Sequence, residues 1–131
     1  MVFVGYGRVY SCTITKLWRY FVDLRIDGCK KRIPKLALAV YYKASDASAV
    51  ESLLSFDASL MREKPAWKLS EREAVNVDAL DKGAVVSLTL RTGHRLEGVV
   101  RWFTADDIGL TCDGVKVLMF RHAIANCQPL C

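Results

Sequence analysis

The stretch Val85–Phe103 constrains the fold of this chain more than any other. Val86, Leu88 and Leu90 are apolar, while Ser87 and Thr89 between them are polar. A period of two marks a strand with one buried face. Thr92-Gly93-His94 breaks the pattern, and a short connection containing glycine is a hairpin signal. Leu96, Gly98, Val100 and Trp102 resume the alternation. A glycine inside a strand marks a bend or a close backbone approach, so the second strand is expected to be strongly bent at Gly98.

The residues beyond Phe103 continue as strands. Ile108, Leu110 and Cys112 alternate with Gly109 and Thr111, Asp113-Gly114 turns the chain, and residues 115–120 and 124–127 give two more strands before Pro129. Upstream, Ser70-Glu71-Arg72-Glu73 is a capping box for a short helix that Gly83 can close.

The spacing Leu90-x-x-Gly93-x-x-Leu96-x-Gly98, the continuation Val100-Arg101-Trp102 and the ending Phe120-Arg121-His122-Ala123-Ile124 resemble the Sm-like family, in particular its Hfq branch. Arg101-Trp102 and Gly109-Leu110 look most like the cyanobacterial members of that branch. The resemblance covers residues 78–129 and implies a small, bent, five-stranded β-barrel following a helix. It also implies self-association through barrel edge strands, here within residues 108–127, because an unpaired edge can be satisfied by a second copy. In the Hfq branch a Lys-His pair from each subunit meets RNA at the pore, and Arg121-His122 occupy those positions. Arginine serves a phosphate at least as well as lysine. Two departures stand out. Where the branch has a Gln-Phe pair that stacks on uracil, this chain has Ala105 and Asp106, and Thr89 replaces the aromatic of the opposite face. The branch's arginine-rich rim has no clear match in Glu71-Arg72-Glu73.

The first half resembles no family, but its pattern is also that of strands. Alternation over residues 7–16 and 20–26, the turn Asp27-Gly28 and the apolar run 36–42 predict three of them, with Lys30-Lys31-Arg32 and Pro34 between the second and third. A second, degenerate small barrel is compatible with this half, without being established by it. Val50, Leu53, Leu54, Leu60 and Met61 fall near helical spacing after Ser45 and Asp46, predicting a helix over residues 46–62 that Pro65 ends. The expected fold class is mostly β with helices (α+β). Residues 1–69 would form an N-terminal β-plus-α extension and residues 70–131 an Sm-like domain.

Charge is unevenly spread. Residues 1–43 carry nine Lys/Arg against Asp23 and Asp27, a surplus of +7 in a chain whose net charge is +5. Phe3, Tyr6, Tyr10, Trp18, Tyr20, Phe21, Tyr41 and Tyr42 lie in the same segment. Basic residues interleaved with aromatics suit single-stranded nucleic acid, through phosphate attraction and base stacking. On that reading Lys30, Lys31 and Arg32 contact RNA; on the blander one they form a solvated turn and the aromatics fill a β core.

Other chemistries find little support. The five cysteines show no C-x-x-C spacing, and His94 and His122 are not placed as zinc ligands, so reduced thiols and no metal or other cofactor are expected. Asp106-Asp107 would point to opposite faces of a strand and have no accompanying carboxylate or histidine cluster. There is no Gly-rich phosphate loop and no G-x-S-x-G. No apolar run approaches the roughly 20 residues of a membrane span, and Met1–Tyr6 is not a charged leader, so a cytoplasmic location is expected. The preferred expectation is a cytoplasmic, oligomeric Sm-like protein that binds single-stranded RNA as a chaperone or regulator, without catalysis. The alternative is an Sm-like adaptor that makes protein contacts; a small enzyme ranks last.

Overall fold

The computed structural model describes residues 1–63 and 81–130. In its first part come β1 (Val2–Gly5), β2 (Val9–Ser11), β3 (Thr13–Leu17), β4 (Phe21–Ile26), β5 (Cys29–Pro34) and, after a 3-10 turn at Lys35–Ala37, β6 (Leu38–Tyr42). The helix α1 (Ala47–Leu53) and the short β7 (Ser55–Phe56) come next. In the second part come β8 (Val85–Leu90), β9 (His94–Phe103), β10 (Asp107–Cys112) and β11 (Val115–Phe120), then a 3-10 turn at Arg121–Ala123 and β12 (Ile124–Pro129). The chain is mostly β, and no described helix is long and apolar enough to cross a membrane.

Alternation governs burial as the pattern predicts. Val86, Leu88 and Leu90 of β8 and Leu96 and Val100 of β9 are buried, with Ile108, Leu110 and Cys112 of β10. Gly98 is required by packing: a Cβ there would sit 2.6 Å from the Cys112 sulfur and 3.0 Å from the Thr111 carbonyl oxygen. The bent strand β9 therefore pairs with β8 through residues 95–99 and with β10 through residues 99–103.

Two expectations need correction. The helix expected over residues 46–62 stops at Leu53, and Leu54 is already extended. Ser55 and Phe56 pair with Arg95 and His94 instead, and the Asp57 carboxylate accepts hydrogen bonds from the Ser59 N–H (2.9 Å) and hydroxyl (2.6 Å). Ladder bonds and an Asx-type turn thus outcompete helix continuation, whose apolar spacing Leu60 and Met61 only mimic. The helix expected from Ser70 falls outside the described residues but for its last few positions.

The second correction concerns the barrel. The strands of the second part run in the order β12-β8-β9-β10-β11, and no ladder closes β11 onto β12 among the described residues. The outer edge of β11 is occupied by β6 of the same chain, with Leu118 opposite Tyr41 and Met119 opposite Val40. Over those two pairs, part of an edge expected to receive a second copy is taken by the chain itself. The resulting nine-stranded sheet spans both sides of residue 69. Val2, Val4, Val40 and Tyr42 share one core with Leu88, Leu110, Val117 and Met119. The strands β3, β4 and β5 form a separate sheet.

The two parts repeat one another closely. The β4–β5 hairpin pairs Phe21 with Pro34 through to Ile26 with Cys29, and the β10–β11 hairpin pairs Asp107 with Phe120 through to Cys112 with Val115. Both turn through an Asp-Gly with positive φ, Asp27-Gly28 and Asp113-Gly114. The β3–β4 ladder slips between Ile14 and Lys16, and the β9–β10 ladder slips at the counterparts, Val100 and Trp102. From Gly7 to Tyr42 every residue has its counterpart at the displacement that carries Gly7 to Gly93 and Asp27 to Asp113. Two differences stand out: the first hairpin's turn is one residue shorter, with Gly5 facing Leu38 as Leu90 faces Ile124, and the first part has two strands, β2 and β3, in separate sheets where the second has the unbroken β9.

Candidate nucleic-acid interface

The repeat places two basic turns in equivalent settings. The Arg121 N–H donates to the Asp106 carbonyl at 2.8 Å, and the Lys35 N–H donates to the Tyr20 carbonyl at 2.9 Å. Thr104 N–H to Asp107 and Trp18 N–H to Phe21 repeat the match one step earlier, at 2.8 and 2.9 Å. Each turn thus hangs from the connection that precedes the middle hairpin, because a 3-10 turn leaves its first N–H groups without an internal acceptor. The Arg121 guanidinium also donates to the Thr104 carbonyl at 2.8 Å, which holds its charge beside that connection.

His122 lies inward of Arg121. Its ring stacks on Phe120, with centroids 5.3 Å apart and planes 10° apart. Burial pushes its pKa down to about 4; Asp106 and the Lys35 backbone act in the opposite direction, while Arg91 and the Lys35 charge lower it further. The Lys35 backbone makes no hydrogen bond of good geometry with the ring, and both ring nitrogens are buried without a partner. At neutral pH His122 is therefore uncharged, and the cations of this region are Lys35, Arg91 and Arg121.

The surrounding groups form a chain of couplings across the junction of the two parts. Burial pushes Tyr6 up to about 12 against the pull of Arg91. Burial raises Asp107, opposed by Lys35 and reinforced by Asp106. Burial carries Tyr41 to about 12, with Asp107 adding to the shift. Tyr6 Oη, Arg91 Nε and Asp107 Oδ1 are, like the His122 nitrogens, buried without a hydrogen-bond partner. Buried polar atoms are almost always paired with protein or solvent. These groups therefore form a buried polar cluster at the junction, coupled through Arg91, Lys35 and Asp107.

The other predicted basic residues lie elsewhere, on β5 in the separate three-stranded sheet. Arg32 is committed to Asp23, at 2.8 and 3.3 Å, and the Trp18 indole donates to the same carboxylate at 2.7 Å. The Arg32 bond first, and then the Trp18 bond, hold Asp23 down to about 2. Lys30 and Lys31 are exposed. Trp18 carries Lys16 Nζ 3.6 Å from its ring centroid and the Arg32 guanidinium at 5.2 Å, so cations already occupy its neighbourhood. Together these residues make a basic, aromatic surface, separate from the junction turns.

Sequence reasoning missed Lys35 and Arg91 as site residues and named Tyr20 only as one aromatic of the basic first segment. Lys35-Leu36-Ala37-Leu38 is the counterpart of Arg121-His122-Ala123-Ile124, and Arg19-Tyr20 the counterpart of Ala105-Asp106. A search for an internal repeat anchored on the two Asp-Gly turns would have found both pairs. Among the described residues no group of three or more His, Cys, Asp or Glu is placed to hold a metal ion. No family model, no curated protein and no solved structure matches this chain.

Proposed function

We propose that this chain is an Sm-like protein that binds single-stranded RNA and acts as an RNA chaperone or regulator, by binding alone. The observation that carries the reading is the equivalence of the Lys35 and Arg121 turns, each supplying a cation from the same backbone setting. Phosphate is the natural partner of such cations. The first part also supplies what the second lacks. Where Asp106 stands in one, Tyr20 stands in the other, 53% exposed with Arg19 over its ring at 5.2 Å. An exposed aromatic beside a cation offers a base a stacking face.

The adaptor reading draws on the acids. Asp106 and Asp107 border the Arg121 turn, and His122 is neutral, so the second part by itself is a weak anion site. Titration of labelled oligo-U and oligo-A at two salt concentrations separates the readings. RNA binding predicts salt-sensitive affinity that falls about tenfold, roughly 1.5 kcal/mol per charge-assisted contact, on Arg121→Ala or on Lys35→Ala. Tyr20→Ala should lower affinity with little change in salt slope, because stacking releases no counterions. Absence of binding at low salt, or binding indifferent to all three substitutions, leaves the adaptor reading.

A further inference from the structure

We propose that the turn joining β3 to β4 is a peripheral lipid-binding tip, which seats its exposed side chains in the interface of an anionic bilayer. The ladder ends with Leu17 opposite Val22, and the Trp18 N–H donates to the Phe21 carbonyl at 2.9 Å. The chain therefore reverses over residues 18–21, and large apolar side chains gather at that reversal. Leu17 is 64% exposed, Tyr20 53% and Trp18 39%. Turns are ordinarily built from Gly, Pro, Asn, Asp and Ser. Single exposed hydrophobics are common on any protein, but three within four residues mark an interaction site.

Charge selects the partner. Residues 13–34 carry six Lys/Arg against Asp23 and Asp27, a surplus of +4. Asp27 lies in the turn at the far end of β4, and Asp23 is bonded to Arg32 at 2.8 and 3.3 Å. No carboxylate of this sheet is therefore left at the tip to repel an anionic surface. Lys16 and Arg19 flank Leu17 and Trp18 in the chain, and both are exposed. Long basic side chains can lay their stems along the apolar tip and carry their charges to lipid phosphates.

The Trp18 indole suits a bilayer better than a base. Lys16 Nζ stands 3.6 Å from its ring centroid, so a base stacking there would displace that cation, and Leu17 offers a base no ring. At a bilayer interface the same arrangement is favourable. The indole N–H is already satisfied by Asp23 at 2.7 Å, so the ring can leave water without stranding a donor. Leu17 gains by burial at the acyl boundary while Lys16 and Arg19 stay among the headgroups. Such attachment is peripheral and needs no spanning helix.

The test uses nuclease-treated, full-length protein, so that its outcome is independent of the RNA reading. Tyr20 is common to both surfaces and is left unchanged. Co-sedimentation compares vesicles of phosphatidylcholine with vesicles of phosphatidylcholine and phosphatidylglycerol in equal parts. Binding should be at least about tenfold tighter on the anionic vesicles and should weaken with salt. Lys16→Gln should weaken it about fivefold, the effect of one cation near such a surface. Leu17→Ser should weaken it severalfold at every salt concentration, and Leu17→Phe should keep it. Oligo-U affinity, measured without vesicles, should be the same in Leu17→Ser as in the parent chain. Failure to bind anionic vesicles at low salt overturns the inference. So does binding indifferent to Leu17→Ser, which would be adsorption by charge alone. Loss of oligo-U affinity in Leu17→Ser overturns it as well, because the tip would then be an RNA surface.

Discussion

The ring of Tyr41 lies 5.2 Å from that of Phe120 and 5.1 Å from that of Phe3, so one side chain of β6 ties both parts of the molecule together. The seam it seals is only two residue pairs long. Aromatic packing, not ladder length, therefore supplies much of the adhesion. Tyr41→Ala should cost roughly 2–3 kcal/mol, toward the lower end for a large aromatic because the ring is part-exposed. Chemical denaturation checks it, and a second transition appearing in the variant would report that the parts now unfold separately.

Trp102 and Gly109 make a second close pair. A Cβ on Gly109 would lie 2.5 Å from the indole Cε2 and Nε1 atoms. Gly109→Ala should destabilise by about 1–3 kcal/mol, the usual cost of overpacking. Adding Trp102→Leu should recover part of that loss, because the clash disappears with the indole. Strict additivity of the two substitutions in a double-mutant cycle would show that the indole is not the obstacle.

Acid should weaken the fold through His122. Its folded pKa of about 4 lies below the ordinary 6.5, so the unfolded chain binds the proton more tightly. The corresponding stability is fully present above about pH 6.5 and is lost as pH falls toward 4, by at most about 3 kcal/mol. His94, lowered by burial, contributes in the same direction. Leucine is what the first part carries at the counterpart, Leu36. His122→Leu should therefore flatten the dependence without abolishing it, as measured by urea midpoints at pH 7 and pH 5.

Asp106 should limit uridine binding. It sits beside the Arg121 turn, where a carboxylate repels phosphate and offers no stacking face. Asp106→Tyr copies the residue that the first part has at Tyr20. Oligo-U affinity should rise severalfold and more than oligo-A affinity does, in titrations at matched salt.

Lys30 and Lys31 test whether the basic edge of β5 touches RNA. Lys30→Glu with Lys31→Glu leaves the Arg32–Asp23 pair in place. If these lysines bind RNA, affinity and salt slope should both fall. If RNA is held only at the Lys35 and Arg121 turns, both should stay near their original values.

Much of the strand pattern is legible in the amino acids alone. Alternation at Val86, Leu88 and Leu90, the break at Gly93 and the turns at Asp27-Gly28 and Asp113-Gly114 each depend on a few neighbouring residues. Side-chain period and turn chemistry are local, so the chain announces them directly. The helix over residues 46–62 fails for the opposite reason. Its apolar spacing holds through Leu53, but the free edge of β9 claims Ser55 and Phe56, and no local signal in those residues reveals that edge.

The site divides in the same way. Arg121 and His122 can be chosen from residue type and spacing, but the neutrality of His122 comes from burial against Phe120 and from Arg91 and Lys35, residues distant in the chain. The internal repeat is written in the amino acids too, but faintly, because Leu36 stands where the second part has His122 and Tyr20 where it has Asp106. Only the tertiary structure decided that β6 lies on β11. That pairing is made by backbone N–H and C=O groups, which every residue but proline carries alike, so side-chain identity at Val40, Tyr41, Leu118 and Met119 permits the seam without specifying it.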